Sequence, residues 1–158
     1  MSQRAATVSQ WRKQPTWNRA YDSPNSIALD HLTLARAALY RAILENSSLA
    51  ACHSSVDSSM DGLLTAGRND YLPHGLLTRA WLRVLEGDVA GARADLDEAW
   101  QIAERGSMKL HMADIHLHRA RLFRDTSELA KARALIEECG YWRRKEELED
   151  AEAAAGSW

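Results

Sequence analysis

The densest chemistry in this sequence is His111, Asp114, His116 and His118. Imidazole and carboxylate are common ligands of zinc and related divalent ions. On a helix, His111, Asp114 and His118 share one face, because their spacing is 3 and then 4. The first and last then lie roughly 10 Å apart along the axis. One ion does not easily bridge all three. This face is therefore expected to hold no metal and to act as a polar surface.

Cys52 and His53 suggest a second chemistry, a thiol nucleophile beside its base. Adjacent helical residues point about 100° apart, so the pair is not a ready dyad. Cys52 also falls in a column of small side chains described below, which makes packing its expected role. Ser54, Ser55, Ser58 and Ser59 lack both a base and an oxyanion motif. The sequence shows no phosphate-binding loop, no paired-carboxylate signature and no redox motif. No catalytic residue or cofactor is assigned, and the chain is read as a non-enzyme.

The elements that position these side chains follow from composition and periodicity. The 158 residues suit one domain. Apolar residues make up 46%, enough for a core, and charged residues 27%, an ordinary solvated surface. With only 8 Gly and 3 Pro, and long stretches of Ala, Leu, Arg and Glu, the expected class is all-α. A net charge of -2 argues against a general nucleic-acid binder. Arg4, Arg12, Lys13 and Arg19 make the first 20 residues basic, and Glu146, Glu147, Glu149, Asp150 and Glu152 make a late segment acidic. Both are read as solvated surface. Cys52 and Cys139 lack metal-like spacing and suggest a reduced compartment. With no membrane-length apolar run and no signal-peptide core at the start, the expectation is a cytoplasmic protein without a membrane partner.

Three segments repeat at a period of 40: from Leu49, from Val89 and from Leu129 (89 − 49 and 129 − 89). The matched columns are Leu49/Val89/Leu129, Ala50/Ala90/Ala130, Cys52/Ala92/Ala132, Val56/Leu96/Ile136 and Ser59/Ala99/Cys139. From the small column at Cys52 onward the spacing is 4 and then 3, one face of a helix. Upstream of each lies a partner helix with an Arg-Ala step, at Arg36-Ala37, Arg79-Ala80 and Arg119-Ala120. Leu34, Leu77 and Leu117 stand three residues before those alanines, and Leu39, Leu82 and Leu122 two after. The first step is displaced by three (80 − 37 is 43), which predicts a longer turn around Glu45-Asn46-Ser47-Ser48. Gly87-Asp88 and Asp125-Thr126-Ser127 are expected to stop and cap helices. Helices are predicted over 29–44, 49–66, 73–86, 89–105, 109–124, 128–139 and 142–155. The last carries only Leu148 and alanines as an apolar stripe and reads as a solubilising cap. Residues 1–28 are read as an arm or partial helix over Ala5–Lys13, broken off by Pro15 and Pro24; residues 29–141 form the repeat domain, and 142–158 the cap and tail.

These residues resemble the tetratricopeptide repeat (TPR). Ala80, Gly87-Asp88, Ala92, Leu96 and Ala99 stand at that family's small, turn, small, large and small positions. Repeat three keeps Ala120, Ala132 and Ile136, and repeat one keeps mainly its second helix. Leu72 to Tyr141 is also similar to TPR regions near the ends of larger bacterial signalling proteins. The resemblance implies a helical-hairpin solenoid of about three repeats whose first helices line a concave groove. It places His31 and Arg41, then His74, Thr78 and Trp81, then Asp114, His118 and Arg121 in that groove. Six tryptophans are many for this length. Core packing is the ordinary role for Trp81, Trp100 and Trp142, but Trp81 follows Ala80 on the groove side. The implied function is an adaptor or scaffold that binds a peptide or helix, favouring an acidic group plus an apolar anchor. A self-associating repeat protein, pairing through its Trp-bearing arm, is the alternative; metal-dependent activity at the histidines ranks below both.

Overall fold

Helix α1 (Pro24–Glu45) starts at the proline that the sequence reading treats as a breaker. The Ser23 hydroxyl caps it, accepting a hydrogen bond from the Ser26 N–H at 3.1 Å. Proline suits a first helical turn, where its missing N–H has no partner to lose and its φ is already helical. The helix therefore begins at 24 and not at 29. The computed structural model describes residues 23–158; the helix expected over Ala5–Lys13 lies outside them.

The chain continues through α2 (Ala50–Thr65), α3 (Leu72–Leu85), α4 (Val89–Arg105), α5 (Lys109–Phe123) and α6 (Thr126–Cys139). A 3₁₀ turn (Trp142–Arg144) then leads into α7 (Lys145–Ala155). Among the described residues there is no strand. Local chemistry sets the boundaries. Asp88 accepts from the Gly91 N–H at 2.9 Å, opening α4 after Gly87 has turned the chain at φ 87°. Asp125 accepts from the N–H groups of Ser127 and Glu128, opening α6. Gly140, at φ 62°, ends it.

The helices pack as consecutive hairpins, α1 with α2, α3 with α4 and α5 with α6. First helices also touch side by side, α1 with α3 and α3 with α5, whereas α2, α4 and α6 do not touch one another. First helices therefore approach one another more closely than second helices do. The small column holds as expected: Cys52, Ala92 and Ala132 are all buried, with Val56, Leu96 and Ile136 behind them. Burial pushes the Cys52 thiol pKa up, in keeping with a packing role. The column Ser59/Ala99/Cys139 is looser at its last member, where Cys139 is only half-buried. The outermost columns are looser still, since Val89 and all three alanines at 50, 90 and 130 are exposed.

The first repeat is corrected in its upstream helix. Leu32 and Ala35 are the buried equivalents of Leu77/Ala80 and Leu117/Ala120, whereas Leu34 is 50% exposed and Ala37 is exposed. The displacement is therefore five residues (80 − 35 is 45, against 40 for the next step). The extra length is mainly helix: α1 runs on to Glu45 and leaves only residues 46–49 to the turn.

Charge ties the central hairpin internally. Asp95 on α4 is buried and takes hydrogen bonds from Arg79 at 2.7 to 3.2 Å, with Arg83 at 2.9 Å. The apolar core falls into two groups. The larger draws on α1 to α4 plus Ile115. The smaller joins Ala113, Leu117 and Ala120 of α5 to Leu129, Ala132 and Ile136 of α6 and Leu148 and Ala151 of α7. Among the described residues, no helix is long and apolar enough to cross a membrane.

Candidate functional site

Helical spacing aligns one row of side chains along each first helix. The rows are Arg36 and Tyr40 on α1; His74, Thr78 and Trp81 on α3; and His111, Asp114, His118 and Arg121 on α5. Contacts join them across the helices. The Arg36 guanidinium donates from Nε to Thr78 Oγ1 at 3.1 Å and from Nη2 to the His74 main-chain carbonyl at 3.3 Å. Thr78 in turn donates to that carbonyl at 2.9 Å. The His74 and His111 rings lie 4.7 Å apart between centroids. Trp81 meets Tyr40 edge-on at 5.4 Å and His118 edge-on at 6.2 Å, and the Arg121 guanidinium sits 5.6 Å above its ring.

The C-terminal cap closes one side of the row. Asp114 is buried and held by Arg144, whose Nε and Nη2 donate at 2.7 and 3.1 Å, while the Tyr141 hydroxyl donates at 3.3 Å. Arg144 also bonds Glu147 through Nη1. Burial opposes its charge, but the bonds to Asp114 outweigh that and raise its pKa. The opposite balance holds at His74. Burial first, then repulsion from His111 and Arg36, pushes its pKa down to about 4. Burial also lowers the pKa of His118, although its Nδ1–H donates to the Asp114 main-chain carbonyl at 2.8 Å. At ordinary pH the imidazole of His74 is neutral while the row keeps Arg36, Arg121 and Arg144 as cations.

The structure brings six of the eight expected groove residues together: His74, Thr78, Trp81, Asp114, His118 and Arg121. His31 and Arg41 stand apart. At 100° per residue, His31 lies about 140° around α1 from Arg36. The same rule turns Arg41 away by a similar angle, and its guanidinium pairs with Glu45 at 2.9 Å on an exposed surface. Asp114 is in the row, but Arg144 and Tyr141 already occupy its carboxylate. Arg36, Tyr40, Tyr141 and Arg144 were missed. The first two were hidden by the register of repeat one. The other two come from the cap, which no repeat pattern reaches.

The histidine cluster disperses. His111 packs on His74, and Asp114 belongs to Arg144. His116 leaves the row altogether, pairing through Nδ1 with Glu128 at 2.7 Å and packing on Trp100 at 4.8 Å. Among the described residues, no three metal-ligating side chains converge. Cys52 and His53 also part company: the thiol is buried, and the exposed imidazole bonds Glu86.

No family model matches the chain, and no curated protein or solved structure matches it significantly. Any functional reading rests on the geometry of this row.

Proposed function

We propose that this protein is a non-catalytic, TPR-like binding module that holds a peptide or a partner helix along the inner row of its first helices. One observation carries the reading: the row is continuous across three helices, with Tyr40, His118 and Arg121 each packed on Trp81 and all four partly exposed. An aromatic cluster flanked by arginines supplies large contact area at low entropic cost, together with directional hydrogen-bond donors. Trp81 is the expected apolar anchor and Arg121 its charged neighbour. Trp81 also packs on the main core, so its anchoring edge is pre-positioned.

The test is selection of short peptides from a random phage-displayed library against the purified chain, followed by affinity measurement on variants. Trp81→Ala and Arg121→Ala are each expected to weaken the selected peptides by about 1–2 kcal/mol, roughly tenfold, with helicity by circular dichroism unchanged. If Trp81→Ala unfolds the protein and Arg121→Ala binds normally, the row is not the binding surface.

Self-association is the second reading, favoured by apolar side chains on the outer side of α1, where Ile27 and Leu34 are exposed. Light scattering that gives a monomer mass at all concentrations removes it.

A further inference from the structure

Arg36 is half-buried, yet among the described residues no carboxylate pairs with it; its donors reach only a hydroxyl and a main-chain carbonyl. This is unusual in a chain whose other half-buried arginines on the first helices have acidic partners, Arg79 and Arg83 with Asp95 and Arg119 with Asp97. Buried charges are ordinarily paired. The surroundings of Arg36 deepen the imbalance. His74 Nδ1 and His111 Nε2 are buried without a protein hydrogen-bond partner. The acid that belongs to this region, Asp114, is committed to Arg144. Glu147 is engaged by Arg144 as well.

We propose that the part of the groove around Arg36, bounded by His74, Thr78 and His111, is an anion subsite that takes a side-chain carboxylate of an acidic peptide, with Trp81 and Tyr40 receiving the apolar part of the same peptide. The proposal rests on the groove reading above and fixes the direction of the ligand: acidic end toward His74 and His111, apolar end toward Trp81. A side-chain carboxylate is favoured over a chain terminus because Arg36 lies midway along α1. The row extends past it to Tyr40 on one side and to Leu29 and Thr33 on the other, so a bound chain passes through. Arg36 has donor capacity to spare beyond its two bonds, and an arginine fork is shaped for a carboxylate. The electrostatics agree. After burial, the largest influence on Arg36 is the opposing charge of Arg144, which outweighs the attraction of Asp114.

The test uses fluorescein-labelled octaglutamate with an amidated C-terminus, read by anisotropy on the full chain at low salt. Octalysine and octaglutamine are its counterparts. Octaglutamate is expected to bind and to weaken with added salt, and the other two not to bind. Arg36→Gln is expected to weaken it at least tenfold, Arg41→Gln by less than twofold. In the unmodified protein, imidazole NMR signals of His74 and His111 are expected to move on titration while those of His53 stay. This second measurement stands even if Arg36→Gln fails to fold. Equal binding of octaglutamate and octalysine, an indifferent Arg36→Gln, or unmoved His74 and His111 signals overturns the subsite. Failure of the groove itself looks different. Library-selected peptides that depend on Trp81 but lack acids and ignore Arg36→Gln leave the groove standing and remove the subsite. Peptides that ignore Trp81, Arg121 and Arg36 alike remove both.

Discussion

His74 is a side chain whose charge the fold opposes. Its pKa lies at about 4 in the folded protein, against an ordinary value of about 6.5. The unfolded chain therefore binds a proton more readily than the folded one in that interval. Stability contributed by a neutral His74 is present above about pH 6.5 and is lost as pH falls toward 4, at up to about 1.4 kcal/mol per pH unit. Denaturant melts of wild type and His74→Gln across this range are expected to show a steeper acid loss in wild type. Parallel curves would mean that the imidazole is not held neutral. Asp114 poses a second case, a buried carboxylate whose ionic partner is Arg144. Arg144→Ala leaves that carboxylate without its ionic partner and is expected to cost about 3–5 kcal/mol near neutral pH. Adding Asp114→Leu to Arg144→Ala is expected to restore part of the loss, since the uncompensated charge is then gone. A double variant no more stable than the single would show that Arg144 matters through packing instead.

Among the elements, α4 carries the clearest test of register. Ala92 is fully buried in the small column, while Ala90, two residues earlier, is exposed. Ala92→Leu is expected to overpack the helix contact by about 1–3 kcal/mol, and Ala90→Leu to change stability little. Thermal melts of the two variants decide; equal shifts would break the assignment of faces. The second helices were legible because their columns mix one small and one large residue at fixed spacing, and because Asp88, Asp125 and Gly140 mark their ends. The first helix was less legible. Its stretch Leu32-Thr33-Leu34-Ala35-Arg36-Ala37 contains two Leu-x-x-Ala frames, Leu32/Ala35 and Leu34/Ala37, and the Arg-Ala step selected the wrong one. A pattern rich in apolar and small residues on several faces does not state which face is inside. That slip put His31, which stands 43 residues before His74, among the expected groove residues and concealed Arg36, which stands 45 before Trp81. In α5 the difficulty was different. Residues 113 to 117 are all buried, because that helix packs into both core groups and carries polar side chains between them, so no single apolar stripe exists to read. Nothing local in the sequence joins Asp114 to Arg144, which is 30 residues away and outside the repeat.

On the scale of the whole molecule, three consecutive helix pairs share a core that falls into two groups, and this has a mechanical consequence. In repeat architectures each unit is stabilised mainly by its neighbours, so an end unit opens more easily than an interior one. Here α5, α6 and α7 share an apolar cluster of their own, while α5 also feeds Ile115 into the larger one. The last layer of the smaller cluster is α7, whose only large apolar contribution is Leu148, buried beside Ala151. Truncating Leu148 removes a buried side chain from a small cluster, a change worth about 2–5 kcal/mol where the cavity does not collapse. That cost falls on the end unit. Links also cross to the larger group, among them Ile115 within its core and the half-exposed pair of Arg119 with Asp97 at 2.7 Å, the latter of which contributes little. Leu148→Ala is therefore expected to lower amide protection in α6 and α7 well before that in α2 to α4, as read by native-state hydrogen exchange. Because Arg144 reaches Asp114 from this same cap, the loosened variant is also expected to release Asp114 and to raise exchange around Tyr141. Uniform loss of protection from α1 to α7 would show instead that the two apolar groups unfold as one, and that the division of the core has no energetic meaning.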